Sequence, residues 1–198
     1  SLFRCTVTGA TRSDTILFVG GVSWLEGTVV IVNSGATLDA TGIAGFTATN
    51  VTTNKSTDAT KATLTAKANA AVTIDVSGAK SDSNGWTLVG GSGTGDDVLK
   101  GGAAADTITG GAAVDTITGG AGNDIIAGGA GNDIIVIGTA GEADGDTIDG
   151  GADDDVLKLS TGGTDTFSTD NKLQNVETIQ AHASGSTVVL TGQTEAFT

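Results

Sequence analysis

Between residues 92 and 158 the chain repeats itself every nine residues, and so short a period narrows what the segment can become. SGTGDDVLK at 92, GGAAADTIT at 101, GGAAVDTIT at 110, GGAGNDIIA at 119 and GGAGNDIIV at 128 follow one another without a gap. After an insertion at 137–140, GEADGDTID at 141 and GGADDDVLK at 150 resume the register. The sixth position is always Asp (Asp97, Asp106, Asp115, Asp124, Asp133, Asp146, Asp155), and the eighth is always Ile or Leu. Asp makes up only 19 of 198 residues overall, so seven aligned hits do not come from composition. One nine-residue unit cannot bury an apolar side chain alone. Stacked units can, so the array must be a solenoid with continuous aliphatic ladders.

Each unit divides into a glycine-led hexapeptide and a three-residue apolar stretch, a turn followed by a short strand. Strand side chains alternate faces, which points the eighth residue inward and its neighbours, often Thr, outward. Glycines at positions one, two and four allow positive φ and keep the backbone free of Cβ atoms, so carbonyl oxygens can point into the turn. The same block carries 13 acids and two bases, −11 of the chain's −14. A block this acidic would ordinarily be a solvated, disordered tail, but its periodicity argues for a fold instead.

The pattern GGxGxD followed by x, a large aliphatic and x resembles the nonapeptide of the RTX (repeats-in-toxin) calcium-binding family. The resemblance implies a right-handed parallel β-roll in which two nonapeptides form a coil and calcium lies between a turn and the turn two units later. It would place Asp97, Asp115, Asp133 and Asp155 along one edge, and Asp106, Asp124 and Asp146 along the other. Around them the turn residues Gly102, Gly111, Gly120, Gly122, Asn123, Gly129, Gly131 and Asn132 would complete the metal sites. Several calcium ions are the implied cofactor. Coils sit about 4.8 Å apart, and carboxylates at that spacing repel by roughly 3 kcal/mol at an effective dielectric of 20. Calcium reverses that sign because it takes six to eight oxygens in flexible geometry. Magnesium demands a tighter octahedron, and the block has no Cys or His for zinc.

Some units depart from the pattern. Position four is Ala104, Ala113, Asp144 or Asp153, so a turn that wants positive φ carries a Cβ at a cost of about 1 kcal/mol each. The insertion, together with Glu142 in the place of the second Gly, predicts disturbed pairing at 124/146 and 133/155. The soundest pairs are then 106/124 and 115/133.

Outside the array, β-branched runs at 15–19, 28–32, 63–65, 72–76 and 86–89 recur between Gly, Ser and Asn clusters, without helical periodicity. They predict a Thr/Ala-rich β-solenoid or sheet segment over 1–89, a calcium-binding β-roll over 90–158, and a β segment continuing the solenoid over 159–198. The stretch from Ala36, ATLDATGIAGFTATNVTTN, resembles Thr- and Ala-rich solenoids of bacterial surface-layer proteins and type I secreted adhesins. Asn175 to Ile179, followed by STVVLTG at 186, resembles the strand pairs that separate calcium blocks in such proteins. Trp24 and Trp86 are expected to fill or cap the solenoid, His182 to be an exposed side chain, and Cys5 to be a small buried or incidental thiol.

Only two Arg and seven Lys argue against nucleic acid as a partner, and against an anionic membrane surface. No apolar run approaches the roughly 20 residues of a membrane-spanning helix, so solubility without membrane insertion is expected. There is no HExxH, no GxSxG and no partnered histidine, which predicts a non-enzymatic role. The sequons at Asn50 and Asn54 are weak glycosylation signals in a Thr-rich chain. With no Met and no charged-then-apolar leader, the chain reads as a piece of a longer protein. The combined expectation is an all-β, calcium-binding structural module of a secreted, extracellular bacterial cell-surface protein. It would fold on calcium after export, with possible self-association or contact with neighbouring surface-protein domains. The alternative is a calcium-dependent secretion or folding module of an exported RTX enzyme or toxin.

Overall fold

The computed structural model describes residues 15–18, 31–32, 37–48, 50, 52–56, 62–80, 83–139, 141–169 and 172–190. Cys5, Trp24 and residues 28–30 lie outside them. Alternating β-branched and small residues in runs of two to seven give short strands. Each strand hydrogen-bonds in parallel to the strand one coil away.

One sheet stacks β1 (Thr15–Phe18), β3 (Thr37–Ile43), β6 (Ala62–Ala66), β8 (Trp86–Val89), β10 (Thr107–Ala112), β12 (Ile125–Ala130), β14 (Thr147–Ala152) and β17 (Leu173–Gln174). The facing sheet stacks β4 (Phe46–Thr47), β7 (Thr73–Asp75), β9 (Val98–Lys100), β11 (Thr116–Thr118), β13 (Ile134–Ile137), β15 (Val156–Leu159) and β18 (Thr178–Gln180). From β3 onward each coil contributes one strand to each sheet, so the fold is an all-β solenoid. Both sheets run unbroken from the Thr-rich segment through the acidic array and out the far side.

The eighth-position residues form the core. Leu99, Ile117, Ile135 and Leu157 stack in one ladder, and Ile108, Ile126 and Ile148 in the other. Each is at most 1% exposed, and burying each stabilises the fold by about 1.5 to 3 kcal/mol. The ladders continue into Leu88 and Leu64 upstream and Leu173 downstream, and Trp86 fills the core 6.5 Å from Phe46 between ring centroids.

The flanks differ from the array in cross-section. A third face appears at both ends, where β2 (Ile31–Val32) pairs with β5 (Thr53–Asn54) and β16 (Gly163–Phe167) pairs with β19 (Ser186–Leu190). The coil is correspondingly longer: Leu64 aligns with Leu88 and Ile148 with Leu173, whereas Ile108 aligns with Ile126 only 18 residues on. In the array a tight turn replaces the third strand. Thr178–Gln180 and Ser186–Leu190 are therefore successive faces of one coil and do not pair with each other, contrary to the sequence expectation. Asn54 is buried on the third face, where its Nδ2 donates to Gly85 O at 2.7 Å and Asn84 O at 3.2 Å, so it does not offer a glycan acceptor. His182 is half-buried in a turn, its Nδ1 2.7 Å from Ser184 Oγ. No helix among the described residues is long and apolar enough to cross a membrane.

Candidate metal centre

The sixth residue of each unit enters its strand two positions before the inward Ile or Leu, so alternation turns its side chain inward as well. All seven aspartates are at most 1% exposed. They form two columns, and within each column one carboxylate oxygen accepts the backbone N–H of the corresponding Asp one coil earlier. Asp115 Oδ1 accepts from Asp97 at 2.7 Å, Asp133 from Asp115 at 2.8 Å and Asp155 from Asp133 at 2.8 Å. In the other column Asp124 accepts from Asp106 and Asp146 from Asp124, both at 2.7 Å. The columns begin where Val72 N–H meets Asp97 Oδ1 and Trp86 N–H meets Asp106 Oδ1.

The second oxygens separate the first rungs from the rest. Asp97 Oδ2 accepts Gly91 N–H, and Asp106 Oδ2 accepts Gly102 N–H, both at 2.6 Å. Oδ2 of Asp115, Asp124, Asp133, Asp146 and Asp155 is buried and has no hydrogen-bond partner. A buried charged oxygen without a partner is costly. Burial pushes the Asp115 and Asp124 carboxyls up to about 7, and Asp146 and Asp155 up to about 6. The backbone N–H bonds oppose the rise, and nearby carboxylates add to it. Asp133 is raised by burial too.

These orphan oxygens face a gap kept open by glycine. A Cβ on Gly110 would meet Asp115 Oδ2 at 2.7 Å and would also overlap Gly128 O from the next coil. The same carboxylate and carbonyl pair closes over Gly128, from Asp133 and Gly150. Each gap is therefore bounded by an anionic oxygen and a carbonyl oxygen, the donor types calcium takes. Among the described residues no three His, Cys, Asp or Glu side chains converge on one point, so a cation here must draw on backbone oxygens.

The turn glycines act in two ways. Gly111, Gly120 and Gly129 have φ of 115°, 98° and 119°, and a Cβ on each would overlap the carbonyl of the matching glycine one coil earlier. Gly122 and Gly131, at 128° and 117°, are equally closed to side chains. Gly102 and the first-position glycines Gly101, Gly110, Gly119, Gly128 and Gly150 are not in the left-handed region, so close approach of backbone, and not positive φ, requires glycine at position one; only Gly141, which opens the irregular unit, takes positive φ there, at 77°. Ala113 and Asp153 do adopt positive φ, 76° and 81°, but Ala104 and Asp144 do not. Asp144 escapes because the loop winds into a 3-10 turn, Glu142–Gly145. Asn132 Oδ1 accepts Asp154 N–H at 3.3 Å, a brace between coils, and Asn123 Oδ1 lies where a Cβ on Gly145 would fall.

The insertion leaves both disputed pairs intact, since 124/146 and 133/155 have the same hydrogen bonds as their neighbours. Ile137 extends its strand to pair with Leu159, and Gly138 and Thr139 begin a loop that ends in the 3-10 turn. In that loop Glu142 Oε2 takes Thr139 N–H at 2.7 Å, and Asp165 Oδ1 takes Gly141 N–H at 2.9 Å. Asp165, 1% exposed, was not singled out from sequence, although alternation in Thr164-Asp165-Thr166-Phe167 puts it on the inward face with Phe167. The glycine pair of the first turn is Gly90 and Gly91, not Ser92 and Gly93. A Cβ on Gly90 would overlap Gly110 O, and one on Gly111 would overlap Gly91 O. The doublet at 90–91 was the available signal.

Residues 91–126, 110–138 and 140–166 match the sequence model of the RTX calcium-binding nonapeptide repeat (4 copies). No curated protein and no solved structure matches the chain. The array thus carries RTX repeats, whose ion is calcium, on a β-solenoid.

Proposed function

We propose that the chain is a calcium-dependent structural module of a secreted bacterial cell-surface protein, surface-layer or adhesin-like, that folds after export. Asp115 and Asp133 hold calcium with the carbonyls of Gly128 and Gly150, Asp124 and Asp146 line the other edge, Asp97 and Asp106 form the leading rungs, and Asp155 ends the first column. The carrying observation is the set of five buried carboxylate oxygens without partners. Without a cation the columns must be either protonated or repelled apart. With one, each oxygen gains a partner and the charge is offset. Folding then follows the ion: it is weak where calcium is scarce and complete at the millimolar levels outside cells.

The sheets that pass uninterrupted from the array into three-sided flanks favour a structural rod segment over a detachable secretion tail. Far-UV circular dichroism during a calcium titration tests the reading. Melting should rise strongly with millimolar calcium and far less with magnesium. Each ion contributes about 1.4 kcal/mol at tenfold saturation. Identical curves in EGTA and calcium would remove its basis.

A further inference from the structure

The last nonapeptide ends at Lys158, yet the column of carboxylates that it closes has one more rung. Asp155 is fully buried, and its Oδ2 is one of the oxygens without a partner. Its N–H donates to Glu177 Oε2 at 2.8 Å, the distance at which Asp133 N–H meets Asp155 Oδ1. The gap beside it repeats the arrangement seen within the array: a Cβ on Gly150 would meet Asp155 Oδ2 at 2.6 Å and overlap a carbonyl of the following coil, here Asn175 O.

What differs is the turn. Asp149 aligns with Gln174 and Val156 with Thr178, so the six residues 150–155 are opposed by only three, Asn175-Val176-Glu177. A turn that short has no room for glycine-led spacing, and it brings in its carboxylate on a side chain one methylene longer. Asn175 takes φ 49°, a conformation Asn tolerates better than most non-glycine residues. Its Nδ2 is anchored on Asp149 Oδ1 at 2.7 Å, which fixes where its carbonyl lies.

The opposite column ends differently. Asp146 N–H is taken by Ala143 O at 3.0 Å, and the Lys172 ammonium sits on Gly145 O at 2.8 Å, so a side-chain cation closes that edge.

We propose that Asp155, the Asn175 carbonyl and Glu177 form a further calcium site beyond the nonapeptide array, so that the two edges carry unequal numbers of ions. The inference rests on the reading of the array as a calcium stack. Isothermal titration calorimetry of the whole chain with calcium chloride tests it, using Glu177→Gln and Glu177→Asp. Gln keeps an oxygen for Asp155 N–H and removes only the charge, whereas Asp keeps the charge and loses the reach. Both should bind one fewer ion than the parent chain, or bind that ion at least about tenfold more weakly, since ligand charge sets calcium affinity. Circular dichroism at saturating calcium should remain that of the parent for Glu177→Gln. If the parent binds several ions and both variants bind the same number with the same affinity, the site does not exist and the stack stands. If the parent binds none, the underlying reading falls and the inference with it.

Discussion

At the scale of single residues, the carboxylates of Asp115, Asp124, Asp133, Asp146 and Asp155 divide two tasks between their oxygens. Oδ1 accepts a backbone N–H, and Oδ2, buried without a hydrogen-bond partner, is the oxygen proposed to take the cation. Replacing Asp with Asn therefore has opposite effects in the two states. In EGTA, Asp124→Asn removes a buried charge and should raise stability; in calcium it should cost about 1 to 3 kcal/mol, the scale of a lost charged partner. Asp155→Asn should behave alike, because its rung has the same geometry despite the irregular residues before it. Paired thermal melts in EGTA and calcium check both, and a variant destabilised in both conditions would contradict the division of labour. Glycine positions rank differently. Gly129→Ala would thrust a methyl onto Gly111 O, whereas Ala113→Gly relieves a left-handed residue worth roughly 1 kcal/mol. Denaturant midpoints should fall for the first and rise slightly for the second.

At the scale of the elements, the raised carboxyls of Asp115, Asp124, Asp146 and Asp155 tie the stability of the stack to pH. These four carboxyls lie at about 6 to 7 in the folded chain, above the ordinary 3.8, so between those values the folded chain holds more protons than the unfolded one. Stability then falls as pH rises through that window. Calcium-free melting temperatures should drop from pH 4 to pH 7.5. With saturating calcium the slope should reverse, because the ion binds the ionised form and protons compete with it. Melting scans across pH in EGTA and in calcium read both slopes, and parallel slopes would show that the ion does not act on these carboxylates. The inward Ile and Leu, the buried Asp and the 18-residue coil were legible because one period governs all three. The three-sided flanks were not, because their coils vary in length and Asn54, Ser56 and Asn84 stitch the third face with polar groups that mimic loop composition. Glu177 escaped notice for a related reason: a three-residue turn abandons the glycine spacing that marks the other rungs.

At the scale of the whole molecule, the question is whether calcium in the middle governs structure at the ends. The two sheets cross into the upstream flank without interruption, and the junction is a particular contact: Trp86, in the flank's core, donates its backbone N–H to Asp106, the first rung of one column. Solenoid stability is carried by nearest-neighbour interfaces, so a coil loses much of its support when the next one melts. Beside Trp86, Leu88 stacks directly on Ile108, and Leu64 on Leu88, so melting of the array would expose the flank's apolar ladder one coil at a time. Calcium should therefore raise the melting temperature reported by Trp86 although no proposed ligand lies in its own strand. A Trp24→Phe variant leaves Trp86 as the sole indole, and its fluorescence can be followed on heating beside the far-UV signal. The two transitions should coincide and move together by the same amount on adding calcium. A tryptophan transition that stays fixed while the far-UV one shifts would mean that the flank folds on its own, and that calcium governs the roll alone.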